Sequence, residues 1–200
     1  MIPYFAQDAI FVLRRLANLS ASDPAGVLSS RLDVNRAGIF GLSMGGEVSA
    51  EACRLEPLFR ACLVMDVWMP VDIARDGLPQ PSMFITRDTA TMRREGWRQT
   101  DIDETFNTMR SAYEASSGDR YWLLIPGMYH QNPSDFPLAI PAPLGRWIGL
   151  IGPIDAWRGY EILNAYTLAF FERHLKSQSE AMLAGPARQY PEVTFETRAP

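Results

Sequence analysis

A chain of 200 residues, 47% of them apolar, is long enough to bury one substantial core. The net charge is −4 with no basic block, which argues against nucleic acid and against a polybasic membrane-surface protein. The two cysteines, Cys53 and Cys62, suggest no disulfide framework or metal quartet and read as buried thiols.

The opening stretch "MIPYFAQDAIFVLRRLANL" predicts a helix whose inner face carries Phe5, Ile10, Leu13, Leu16 and Leu19. Asp8 and the Arg14–Arg15 pair interrupt what would be the apolar region of a signal peptide. Asp23–Pro24 opens a loop, and "SRLDVNR" leads into a short apolar strand at Ala37–Phe40. A Gly-rich turn follows, then a helix in "GEVSAEACRLE". "RACLVMD" and "QPSMFIT" read as the second and third strands, "IDETFNTMRSAYEAS" as an amphipathic helix and "RYWLLIPG" as the fourth strand. The run from 136 to 154 is long and apolar, but Pro137, Pro141, Pro143, Arg146 and Gly149 make it a poor membrane helix. A last helix in "RGYEILNAYTLAFFERHL" precedes a polar, Pro-containing tail.

Strands alternate with helices and no compact hairpin signal lies between them, which predicts a mostly parallel α/β sheet with flanking helices. No internal repeat or linker divides the chain, so the 200 residues read as one domain or part of one.

The turn after the first strand is Gly41-Leu42-Ser43-Met44-Gly45. A Gly-x-Ser-x-Gly turn between a strand and a helix is the setting of a nucleophile elbow. The helix N-terminus there aims the Met44 N–H at a developing oxyanion. A serine hydroxyl needs a base, and the chain has only two histidines. His174 lies late in the last helix and reads as a cap or surface residue, whereas His130 follows the fourth strand directly. Active-site groups of α/β folds gather at the carboxyl ends of the strands, and the order serine, acid, histidine is that of α/β hydrolases. The acid is open on position alone. Asp66 ends the second strand without a break in apolar character, and Asp88 follows the third in a more polar segment. Asp72, Asp76 and Asp135 read as loop acids.

Several ordered motifs make the chain resemble a known family: "GLSMGG", "MDVWMP", "QPSMFIT", "HQNPSDFPL" and "GPIDAWRGYEILNAYTLAFFERHL". It is similar over nearly its whole length to the platelet-activating factor acetylhydrolases, the plasma and intracellular type II branch, and especially to bacterial dienelactone-hydrolase-like members. The resemblance implies an α/β-hydrolase fold, no metal or other cofactor, and a triad of Ser43, Asp66 and His130. It is this precedent that favours Asp66 over Asp88 as the acid. Dienelactone hydrolases proper carry a cysteine nucleophile, and this elbow carries serine.

The family's sheet begins with strands upstream of the elbow, and a loop among them donates the second oxyanion N–H. The expectation is therefore that residues 1–200 are the C-terminal part of a single hydrolase domain. An uncovered sheet edge would then favour self-association, and any export segment would precede Met1; otherwise a soluble, cytoplasmic protein is expected. Trp68, Met69 and Phe84, with Met44, are expected to line an acyl pocket. The 136–154 stretch, through Trp147 and Ile148, is expected either to cover the site or to pack as a loop against the sheet. The leading expectation is a serine ester hydrolase for short-chain or oxidised acyl esters, acetylated phospholipids among them. The alternatives are a dienelactone or other xenobiotic ester hydrolase, or a truncated, non-catalytic fragment.

Overall fold

The computed structural model describes residues 1–200. The first helix, α1 (Ile2–Ala21), buries Ala6, Ile10 and Leu13. Phe5 and Leu16, expected on that face, are exposed. The buried positions step by four and three residues along one narrow stripe, because α1 packs mainly on a single neighbouring helix. That neighbour, α2 (Met44–Leu55), follows β1 (Ala37–Leu42) and leads into β2 (Phe59–Met65). Then come α3 (Val71–Asp76), β3 (Ser82–Thr86), α4 (Thr89–Glu95), α5 (Gln99–Ala115) and β4 (Arg120–Leu124). The chain closes with the short α6 (Phe136–Ala139) and α7 (Ala142–Trp147), the long α8 (Ala156–Lys176) and β5 (Thr194–Arg198).

The strands form one sheet in the order β1-β2-β3-β4-β5, with β1 to β4 parallel and β5 antiparallel to β4. Parallel strands joined by helices are covered on both faces and carry nearly continuous apolar runs. In β2 all residues but Arg60 are buried, and alternate side chains enter opposite layers. Cys62 and Val64 meet α1, α2 and α5 through Ala6, Cys53 and Tyr113. Ala61, Leu63 and Met65 meet α8 through Ile162, Tyr166 and Phe170. β1 to β4 run parallel, so the carboxyl ends of β1, β2 and β4 all open on the same side.

Three readings change with the structure in view. Cys53 and Cys62 are not free thiols: they form a disulfide, with Cα atoms 6.5 Å apart, because α2 packs back onto β2. His174 is not a surface cap: its side chain is buried, and Nε2 lies 3.0 Å from the Tyr121 hydroxyl. The polar tail ends in a strand. Only Phe195 of β5 is buried, and β4 supplies the ladder that its sequence does not advertise. The outer edge of β1 pairs with no strand, and Phe40 on it is 61% exposed. No helix is long and apolar enough to cross a membrane.

Candidate active site

β1 runs straight into the turn that carries Ser43, whose backbone sits at φ 56° and ψ −133°. Such a conformation is sparsely populated for a residue with a Cβ, and it persists only where the surroundings impose it. Ser43 N–H donates to the Met65 carbonyl at 2.9 Å, and the Gly46 N–H donates to the Ser43 carbonyl at 2.7 Å. Gly41 makes the turn possible: a Cβ there would lie 2.1 Å from the Gly45 carbonyl oxygen. Met44 is the first residue of α2, so its N–H has no partner within the helix.

Asp66 follows β2 and also has a positive φ, 47°. Its side chain is buried, and Oδ2 lies 2.7 Å from His130 Nδ1. Oδ1 accepts a hydrogen bond from the Thr86 hydroxyl at 3.3 Å. His130 sits in the loop after β4. That loop is pinned by the buried Asn132, whose Oδ1 accepts the N–H groups of Tyr129 at 2.7 Å and Gly152 at 2.8 Å. Ser43, Asp66 and His130 border one cavity of about 420 Å³. No hydrogen bond joins the Ser43 hydroxyl to the imidazole. In an empty site such contacts are often long and tighten only when substrate is bound.

The chain matches the family model described as platelet-activating factor acetylhydrolase, isoform II, over residues 21–185. It belongs to that family. Among curated relatives, a platelet-activating factor acetylhydrolase of Canis lupus familiaris is 28% identical across 74% of this chain and 31% of its own length. A probable 1-alkyl-2-acetylglycerophosphocholine esterase of Arthroderma benhamiae is 28% identical across 94% of this chain and 47% of its own. The chain thus spans less than half the length of these relatives. Among solved structures, a ferulic acid esterase from Streptomyces cinnamoneus superposes with a TM-score of 0.73 at 28% identity, covering 97% of this chain and 54% of that one. The fold is that of the α/β hydrolases.

Asp88, the other acid that position allows in this family member, is engaged elsewhere. It caps α4, accepting from the Thr91 N–H at 2.8 Å and the Thr91 hydroxyl at 2.5 Å. Burial pushes its carboxyl up, but the hydrogen bonds from Thr91 outweigh that and hold it below the usual range. Of the side chains expected around an acyl group, Met44 and Trp68 line the cavity. Met69 and Phe84 lie instead in the core between the sheet and α5, Phe84 edge-on to Tyr113. Trp147 is 83% exposed on α7 and does not reach the cavity wall. The 136–154 stretch therefore packs beside the His130 loop through Ile151 and Gly152, and contributes nothing to the cavity wall.

Five cavity residues escape the sequence reading: Ile2, Glu47, Val67, Trp97 and Thr105. Glu47 had a signal, since it stands one helical turn after Ser43. Its carboxyl is pushed up by burial. Trp97 had none, because it falls in the loop between α4 and α5. A further pair that the motifs do not point to, Arg87 and Glu95, lies directly behind Asp66 and His130.

Proposed function

We propose that the chain carries the catalytic centre of a serine carboxylic-ester hydrolase acting on short-chain or oxidised acyl esters, acetylated phospholipids among them. The observation that carries this reading is the 2.7 Å pair of His130 Nδ1 and Asp66 Oδ2 beside the elbow serine, in one cavity. Ser43 Oγ attacks the ester carbonyl carbon while His130 Nε2 takes the hydroxyl proton. Asp66 holds the ring through Nδ1, keeps Nε2 free as the acceptor and stabilises the imidazolium that forms. The Met44 N–H, at the positive end of α2, supplies one oxyanion donor. His130 then protonates the departing alcohol, and water, activated by the same imidazole, cleaves the acyl-enzyme.

The cavity wall supports an acyl ester as substrate. Met44, Val67, Trp68 and Trp97 present apolar surface in the cavity that Ser43 borders, which suits the apolar part of an acyl group. By extension, the chain is the C-terminal part of one hydrolase domain, and the open edge of β1 is where further strands or a second copy would add. The length covered in the relatives and the exposed Phe40 support this. A second reading, a hydrolase of dienelactones or other xenobiotic esters, draws on the likeness to the ferulic acid esterase.

A panel of p-nitrophenyl esters from acetyl to decanoyl, an acetylated phospholipid, a lactone and methyl ferulate separates these readings. The proposal expects the highest kcat/KM on the acetyl esters. Preference for ferulate or lactone would favour the second reading, and an absence of turnover on every ester would contradict both.

A further inference from the structure

Arg87 is 2% exposed, and the proposed chemistry makes no use of it. A buried guanidinium persists only where it is paired, since its removal from water is costly. Its Nε lies 3.2 Å from Asp66 Oδ2, the same oxygen that meets His130 Nδ1. Its Nη1 pairs with Glu95 Oε2. The other oxygen of that carboxylate, Glu95 Oε1, accepts the main-chain N–H of His130 at 3.0 Å. The Trp97 ring closes the assembly: the guanidinium carbon lies 4.5 Å from its centroid, and the His130 ring centroid lies 5.4 Å away. One cation thus spans from the acid that holds the imidazole to the carboxylate that holds its backbone.

The charges sum in a telling way. Asp66 brings one negative charge to the imidazole, Glu95 brings another to the His130 main chain, and Arg87 sets one positive charge between them. The cluster carries one net negative charge with His130 neutral, and none once His130 takes a proton. Without Arg87, the negative charge around His130 would lose its counter-charge and favour imidazolium before any serine proton arrives. A base that is already protonated cannot accept one.

We propose that Arg87, anchored by Glu95 and Trp97, is a positioning residue of this site: it fixes Asp66 and the His130 main chain relative to each other and offsets the negative charge that the two carboxylates place around His130. This rests on the reading of His130 as the base, but its test does not require turnover.

The charged groups that face His130 are Asp66 after β2, Arg87 after β3 and Glu95 on α4, with Glu47 of α2 across the cavity. The chain has two histidines, so ¹⁵N-histidine NMR titration of the whole protein gives two resolvable curves, and His174→Gln assigns them. His174, on the other side of the sheet, serves as the internal control. In Arg87→Met, His130 is expected to titrate about one unit higher than in wild type while His174 is unmoved. Where the protein turns over ester, the acid limb of kcat/KM moves up by the same amount. Arg87→Lys, which keeps the charge but cannot span both carboxylates, is expected to restore the titration and leave kcat reduced. Should Arg87→Met fail to fold, Glu95→Gln leaves the cation in place and is expected to move His130 in the opposite direction. His130 titrating as in wild type in a folded Arg87→Met or Glu95→Gln protein would reduce the pair to a structural staple and overturn the proposal. An unchanged titration with normal turnover, and a shifted titration with no turnover, separate failure of this proposal from failure of the esterase reading.

Discussion

At Ser43 the backbone is held in a conformation that costs of order 1–3 kcal/mol, and the elbow sets it with hydrogen bonds from both sides of the turn. What the strain gains is exposure: the hydroxyl stands at the head of α2, beside an N–H that the helix leaves unused. Asp66 shows the same economy of placement, with a positive φ that turns its carboxylate back toward the His130 ring. Asp66→Asn is expected to lower kcat on acetyl esters by on the order of 10⁴-fold, because an amide would favour the wrong imidazole tautomer. A thermal melt should accompany the kinetics, since the amide also leaves Arg87 with less charge compensation. Activity within a few-fold of wild type would remove Asp66 from the mechanism. At this scale Ser43 and His130 were legible because one motif and a count of two histidines restrict the choice. Between Asp66 and Asp88 position alone could not choose, since both follow strands; the unbroken apolar run before Asp66 hinted at its burial, and three-dimensional contact shows that Asp88 caps α4.

Among the elements, β1 to β4 and α8 were readable from apolar runs and helical periodicity, since burial on both faces of a parallel sheet writes itself into the sequence. β5 was not: with one buried residue it owes its existence to β4, and to the paired hydrogen bonds, each 2.9 Å, that Arg110 of α5 donates to Glu196. The pocket residues failed for a related reason. Phe84 is the central residue of β3, where a one-residue alternation decides which face a side chain enters, and Met69 lies four residues beyond β2; both turn into the core rather than the cavity. α8 presses His174 onto Tyr121 of β4, beside Phe170 of the same helix. Burial lowers this imidazole from its usual 6.5, Asp119 opposing and Arg173 adding to the effect. The unfolded chain therefore takes up a proton near pH 6.5 that the folded chain resists. Stability from this group is complete above that value and is lost as pH falls below it toward the lowered folded value. Melting temperature is accordingly expected to decline between pH 7 and pH 5, and His174→Gln to flatten that decline. An equal slope in the variant would show that His174 does not titrate with folding.

Over the whole molecule, two apolar layers clamp a sheet whose carboxyl ends deliver a serine, an aspartate and a histidine to one cavity. The α/β class and the family were legible because ordered motifs fall at the turns that such a sheet needs. The disulfide between α2 and β2 was not, since nine residues of separation say nothing of a helix folding back on the next strand. Nor was the buried Arg87–Glu95 pair, which joins residues whose sequence neighbours look like ordinary loop and helix surface. Reaction of the full chain with a fluorophosphonate probe, followed by mass-spectrometric mapping of the adduct, tests the central claim most directly. The account predicts a single adduct on Ser43, absent from Ser43→Ala and strongly slowed in His130→Ala. Labelling of equal extent in Ser43→Ala, or an adduct mapped to another residue, would contradict it.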